Sequence, residues 1–185
     1  DYSFKKLIES DVATELVVDE GRPTTIKQRF RSKGKTLLRV SHLHQTAISL
    51  ALQKHVLEKI ESIIDKVDLL VFSDFNYGCL PQALVEKIIS LAKSHNVMLV
   101  ADSQSSSQIG NISRFSGMDL LTPTEREARI STRNSEDGLV VLAEQLRTES
   151  SAKNILLKIG DEGVLIHSSE SNRSDGWVTD RVNAL

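Results

Sequence analysis

Residues 96–127, NVMLVADSQSSSQIGNISRFSGMDLLTPTERE, constrain the fold more than any other stretch of this chain. They hold two short apolar runs, 97–101 and 118–121, and each ends where polar residues begin. The first run gives way to Asp102, Ser103 and Gln104, the second to Thr122, Pro123, Glu125 and Glu127. Short apolar runs bounded by turn signals and followed by amphipathic segments read as buried strands of a parallel sheet. Ligands of such sheets gather at the carboxyl ends of the strands.

The flanking segments repeat this pattern. Residues 46–67 place Ile48, Leu52, Val56, Ile60, Ile63 and Val67 at helical spacing, with Lys54, Glu58, Glu61 and Asp65 opposite. A strand over 69–72 then leads to Ser73 and Asp74, and a helix over 81–94 starts with Pro81 in its first turn. After the run at 118–121, Thr122 is expected as N-cap, Pro123 as the first helical residue and Glu125 as the capping-box partner. A helix over 135–148 and a strand over 154–159 follow, with a Gly160–Gly163 turn leading into 164–167. Strand and helix alternate over short connections. This predicts an α/β fold with a mainly parallel sheet and helices on both faces.

The N-terminal part reads differently. Residues 2–9 form the tail of a helix, and the absence of a capping residue beyond Asp1 suggests a chain that begins earlier. Residues 14–18 are expected as a short strand. Residues 24–31 and 36–41 alternate around a Ser32-Lys33-Gly34-Lys35 turn and predict a β-hairpin, with Thr25, Lys27 and Arg29 on one face. A hairpin with a solvated face usually sits over something instead of inside it. This divides the chain into the end of a preceding helix (1–13), a hairpin region (14–45) and an α/β core (46–185). The serine-rich stretches 103–107 and 168–174 read as loops.

Composition excludes several function classes. A formal net charge of −2 gives no case for a nucleic-acid partner. A single cysteine, Cys79, provides no disulfide framework and fits a reducing cytoplasm. No apolar run reaches the ~20 residues of a membrane span. Taken singly, the carboxylates have structural readings: Asp102 as a loop cap and Glu125 as a helix cap. The expected convergence of Asp74, Asp102 and the Glu125/Glu127 pair at one sheet edge favours a site. His42 and His44 have no third ligand for zinc, and Cys79 has no adjacent base. The K-I-G-D-E-G turn at 158–163 lacks P-loop spacing. Lys27, Arg29 and Arg39 are solvated strand charges or anion ligands.

The succession of a hairpin, F-S-D-F-N-Y-G (72–78), V-A-D-S-Q (100–104), L-L-T-P-T-E-R-E (120–127) and L-K-I-G-D-E-G (157–163) resembles the ribokinase-like (PfkB) carbohydrate kinases. Within that family it is most similar to the heptose-7-phosphate kinases of ADP-heptose synthesis. The resemblance runs from about residue 16 to 166 and implies ATP and Mg²⁺ as cofactors, a sugar or sugar phosphate as acceptor, and a β lid that often makes a homodimer contact. Pro123, Thr124 and Glu127 fall on a P-N-x-x-E segment whose Glu organises Mg²⁺ through water and phosphate. Lys158, Gly160 and Gly163 fall on the nucleotide-side turn. Lys27 and Arg39 on the lid, with Asp74, Asn76 and Asp102 at the strand ends, are the implied substrate residues.

Tyr77 stands where the family's S-D-Y-x-K-G carries Lys, and Asp102-Ser103-Gln104 replaces the common D-P-K. The family's general base lies in a G-A-G-D motif expected beyond Leu185, and its G-G-x-x-N sugar segment is expected before Asp1, so the chain alone is expected to lack kinase activity. Both the drifted ligands and Thr124 in place of Asn favour a second reading, a non-catalytic binding or regulatory domain.

Overall fold

The computed structural model describes residues 2–104, 110–170, 174 and 176–184. Two sheets form. The smaller is an antiparallel hairpin of β1 (Ile26–Ser32) and β2 (Lys35–His42), and the larger is six-stranded in the order β3-β4-β5-β6-β7-β8. Its strands are β3 (Leu69–Asp74), β4 (Met98–Ser103), β5 (Leu120–Leu121), β6 (Asn154–Lys158), β7 (Val164–Ser169) and β8 (Trp177–Val182). The first four run parallel, and β7 and β8 return antiparallel. The helices are α1 (Tyr2–Glu9), α2 (Leu50–Glu61), α3 (Gln82–Ser94), α4 (Glu125–Thr132) and α5 (Leu139–Ser150).

Burial alternates along the strands because successive side chains point to opposite faces. Phe72, Leu99, Ala101, Leu121, Ile155, Leu157 and Leu165 form one buried core with Leu84, Val85, Ile88 and Ala92 of α3, Ala128 of α4 and Leu142, Ala143 and Leu146 of α5. Removing a side chain such as Leu99 from water contributes about 1.5–3 kcal/mol. Phe72 and Phe115 meet within this core at 5.3 Å between ring centroids. On the opposite face Leu69, Val71, Met98 and Ile166 are exposed. The expected helical cover is therefore present over one face among the described residues.

Several expected boundaries moved. Residues 14–18 form no strand. The 46–67 helix is shorter: Ser49 caps α2 by accepting from the Leu52 amide, and the chain leaves helix at Ser62 before a 3-10 turn over Ile64–Lys66. The 118–121 run narrows to the two paired residues of β5. The helix after it starts at Glu125 with Thr124, not Thr122, as N-cap. Helix α5 begins at Leu139 rather than 135, after an Asn134 side chain that accepts from the Glu136 and Asp137 amides. Strand β8 adds a sixth strand that the apolar pattern does not predict. Ser103, Ser168 and Ser169 belong to strands rather than loops, and residues 105–107 and 171–173 lie outside the described residues.

The hairpin forms as expected. Its two-residue turn holds Lys33 and Gly34 both at positive φ, 47° and 79°, the backbone twist that suits a tight hairpin.

Candidate functional site

The carboxyl ends of β3, β4, β5 and β6 bring the predicted residues into two neighbouring groups. The first centres on Asp102 at the end of β4. Its Oδ1 accepts from the Lys158 ammonium of β6 at 2.7 Å and from the Thr122 hydroxyl at 2.9 Å. The Lys158 amide donates to the Pro123 carbonyl at 2.8 Å, which joins the segment before α4 to the end of β6. Both side chains keep partial solvent access, so the pair is not sealed from a ligand.

Thr124 and Glu127 stand beside this pair. The Thr124 amide donates to Glu127 Oε2 at 2.7 Å, and the Glu127 amide donates to the Thr124 hydroxyl at 3.3 Å. This is a capping box. The expectation that Glu125 filled that role is overturned: the helix starts two residues later than expected, so Glu127 is the third helical residue. Glu125 instead pairs with Arg129 at 2.8 Å on the helix surface. The reciprocal bonds hold the Glu127 carboxylate, 8 % exposed, at the head of α4.

Gly160 and Gly163 bracket a 3-10 turn directly after β6. Among the described residues, its two chain neighbours apart, no atom lies within 4 Å of where a Gly160 Cβ would stand, so its backbone is open to approach. Gly163 is constrained by the fold itself. At φ 93° a Cβ there would meet the Val182 carbonyl oxygen at 2.0 Å, so a side chain would push β8 away.

The second group forms at the end of β3. Asp74 is buried, and its Oδ2 accepts from Arg114 Nη2 at 2.7 Å and from the Ser103 hydroxyl at 3.4 Å. Its Oδ1 accepts from the Asn76 amide at 2.9 Å. Asn76, at φ 57°, donates through Nδ2 to the Gln104 carbonyl at 2.8 Å. Asp74 thus organises the loop from the inside. Arg114, at the end of a 3-10 turn over Ile112–Arg114, is its main partner, and no linear signal links this arginine to a carboxylate 40 residues away.

The loop continues through Phe75, Tyr77 and Gly78. Arg22, before the hairpin, donates to the Tyr77 carbonyl at 2.5 Å and to the Thr46 carbonyl. Gly78 packs so closely that a Cβ would meet the Thr46 oxygen at 2.1 Å. These contacts dock the base of the hairpin on the end of β3. Lys27 then lies with its ammonium 5.1 Å from the Tyr77 ring centroid and 5.8 Å from that of Phe75. Arg39 sits on the same hairpin face, directly opposite Arg29, without reaching either carboxylate group. Cys79 is exposed, and among the described residues no cluster of three or more His, Cys, Asp or Glu could hold a metal ion.

A parallel sheet with a site at its carboxyl edge and a separate two-stranded flap is the ribokinase-like arrangement. The profile of the pfkB family carbohydrate kinases matches residues 2–176, and the chain belongs to that family. Among curated relatives, the bifunctional protein HldE of Helicobacter hepaticus is 28 % identical over 152 residues, covering 80 % of this chain and 31 % of the relative. HldE of Sulfurimonas denitrificans is 28 % identical over 171 residues, covering 90 % and 35 %. The chain spans about a third of the length of these relatives.

Among solved structures, phosphofructokinase-2 from Escherichia coli in complex with fructose-6-phosphate superposes with a TM-score of 0.71 at 17 % identity, covering 98 % of this chain and 58 % of the other. Ribokinase from Giardia lamblia superposes with a TM-score of 0.71 at 19 % identity, covering 100 % and 54 %. These two likenesses establish the fold. No helix of the described residues is long and apolar enough to cross a membrane.

Proposed function

We propose that this chain is the central part of an ATP-dependent sugar kinase that transfers a phosphoryl group to a carbohydrate hydroxyl. The acceptor is a heptose phosphate, and the product serves cytoplasmic ADP-heptose synthesis for surface polysaccharide such as lipopolysaccharide. The observation that carries the reading is the convergence of Asp102, Lys158, Thr124 and Glu127 on one strand-end edge, in a chain of the carbohydrate kinase family. The similarity to HldE proteins supports the choice of heptose.

In this reading the turn of Lys158, Gly160 and Gly163 receives the nucleotide, because its open Gly160 backbone lets phosphate oxygens approach. Thr124 and Glu127 stand on the Mg²⁺ and phosphate side. The donor set suits a Mg²⁺ that keeps most of its water and binds through one or two carboxylates plus substrate phosphate, which needs no all-protein cage. MgATP, when bound, supplies the transferable phosphoryl group. The residues of this chain orient and neutralise: Lys158 balances Asp102, and α4 directs its amino end and Glu127 toward the crevice. Asp102 and Asn76 face the acceptor side, Asp74 fixes the loop, and Lys27 and Arg39 bring positive charge from the lid. The lid region (14–45) closes over the α/β core (46–185). The general base belongs to a segment beyond Leu185.

The outward hairpin face, with Ile26, Phe30 and Leu38 exposed, fits pairing with a second copy. The test is Mg²⁺-dependent ATP turnover by the full-length protein, stimulated by a heptose phosphate. Glu127→Gln is expected to lower kcat by at least tenfold, and an unchanged rate would refute its assigned role.

A second reading, a non-catalytic ribokinase-like binding or regulatory domain, draws on a specific feature: Asp74 and Asp102 both have protein cations as partners. Sugar-phosphate binding by the full-length protein without any ATP turnover would favour it.

A further inference from the structure

Between Glu20 and Glu58 the sequence has eight Lys and Arg and no Asp or Glu, although the whole chain carries a formal charge of −2. Three of these cations, Lys27, Arg29 and Arg39, share one face of the hairpin, since Lys27 and Arg29 are two apart on β1 and Arg29 pairs with Arg39 across the ladder. Like charges opposite one another destabilise a strand pair. Among the described residues no carboxylate pairs with any of the three. The face lacks its anion.

Lys27 differs from its two neighbours in how it is held. Its ammonium lies near the rings of both Tyr77 and Phe75, which stack on each other at 6.2 Å and 25°. Aromatic faces attract a cation through their quadrupole. A carboxylate at the same place would pair with the ammonium and cancel its charge, whereas a ring positions it and leaves the charge available. The rings are themselves fixed. Asn76 between them is bonded to Asp74 and the Gln104 carbonyl, Arg22 holds the Tyr77 carbonyl, and Gly78 is locked against Thr46.

We infer that Phe75 and Tyr77 are positioning residues. They seat the Lys27 ammonium beside the end of β3, where it takes the phosphate of a sugar-phosphate acceptor and so sets selectivity for a phosphorylated over a neutral sugar. This rests on the sugar-kinase reading above and adds to it the place where the acceptor's anion is recognised.

The experiment is calorimetric binding to the full-length protein of D-sedoheptulose 7-phosphate, D-sedoheptulose and the ATP analogue AMP-PNP. Tyr77→Leu is expected to weaken the phosphorylated sugar roughly three- to tenfold and leave the other two within about twofold. Tyr77→Phe keeps the ring and should bind like the native protein. Lys27→Met should lose at least as much as Tyr77→Leu, and the double variant should lose no more than Lys27→Met alone. In NMR spectra the Lys27 ε-methylene protons should be shifted upfield by the rings, in native protein and Tyr77→Phe but not in Tyr77→Leu.

Equal loss of the phosphorylated and neutral sugars in Tyr77→Leu overturns the proposal, because the ring then contacts the sugar. Loss of AMP-PNP overturns it in favour of a nucleotide role, and additive losses separate Tyr77 from Lys27. No binding of the phosphorylated sugar by the native protein also overturns it. An unshifted Lys27 signal beside intact phosphoryl transfer removes the aromatic seat and leaves the kinase reading standing. A shifted signal with selective sugar-phosphate binding but no transfer does the reverse.

Discussion

The helix-covered side of the six-stranded sheet and the two-stranded hairpin are held together by different means. On the sheet side, Leu99, Ile155 and Leu157 are at most 1 % exposed and belong to a single apolar cluster. The hairpin exposes Ile26, Phe30, Leu37 and Leu38 and contributes no residue to that cluster. It is tied to the core by polar clamps from Arg22 and by Lys27 over two rings. The core therefore tolerates little change in volume, while the hairpin is free to be shaped by what binds or pairs with it. In the proposed kinase, a scaffold rigid at its strand ends and a flap that answers to a ligand call for this division.

The sharpest way to break the comparison is to truncate matched leucines. Leu99→Ala should lower unfolding stability by about 2–5 kcal/mol, through lost burial and the cavity left behind. Leu38→Ala, at 55 % exposure, should stay within about 0.5 kcal/mol. Urea denaturation of both variants measures the contrast, and similar losses would mean that the hairpin is part of the core.

Next in size is an acid-sensitive tie at the far end of the sheet. His167, fully buried, shares a hydrogen bond with Glu144 Oε2 at 2.8 Å and another with the Thr179 hydroxyl at 2.7 Å. Glu144 only accepts, so the proton stands on His167 Nε2. Both Glu144 oxygens also accept from Arg147, at 2.7 and 2.8 Å. The Arg147 guanidinium holds the Glu144 pKa down to about 2, against burial, which pushes it up, and with His167 adding to the depression. A carboxyl with a depressed folded pKa stabilises fully above its unfolded value of 4.5 and loses that contribution as pH falls through about 2. Allowing for solvent access to a partly exposed side chain, the effect is on the order of 2 kcal/mol. Native protein should lose this increment between pH 5 and 2 relative to Glu144→Gln, read from denaturation midpoints. The hairpin, which has no carboxylate, has no equivalent tie.

What could be read from the sequence divides along the same line. The alternation of apolar runs and amphipathic helices identified β3, β4 and β6 and the helices between them because burial imposes a period on every residue. Asp74, Asp102, Thr124 and Glu127 come to one edge of the sheet because each stands at or just beyond the end of such a strand. Partners remote in sequence left no such trace. Arg114 on Asp74, Lys158 on Asp102 and Lys27 on Tyr77 each depend on how separate segments meet. The start of α4 was misplaced because T-P-T-E-R-E contains two overlapping capping patterns, and the one whose threonine is not needed by Asp102 was formed. Strand β8 escaped because Trp177–Val182 alternates no more clearly than a polar loop.

The Thr124 cap is the next smaller test, and it lies where the core meets the site. Thr124→Ala removes the acceptor of the Glu127 amide and should cost about 1 kcal/mol. Thr124→Ser, which keeps the hydroxyl, should recover most of it. A loss well above 2 kcal/mol by thermal unfolding would show that the threonine methyl, not the cap, is what matters.

The smallest effect on folding is expected on the outward face of the hairpin, where the largest effect on assembly should follow. Ile26, Phe30 and Leu38 share that face, Phe30 pairing directly with Leu38 across the ladder. Their exposure means that a charged substitution removes little burial within one chain, so Phe30→Asp should change the unfolding free energy of the monomer by less than about 0.5 kcal/mol, read at protein concentrations where both proteins are monomeric. If two copies pair through this face, as proposed, the same substitution buries a carboxylate against apolar side chains of the second copy and should turn a dimer into a monomer in sedimentation velocity. Phe30→Leu, which keeps the apolar surface, should remain dimeric. A dimer that survives Phe30→Asp would place the contact elsewhere. A monomeric native protein would leave the hairpin with one working face, the basic one.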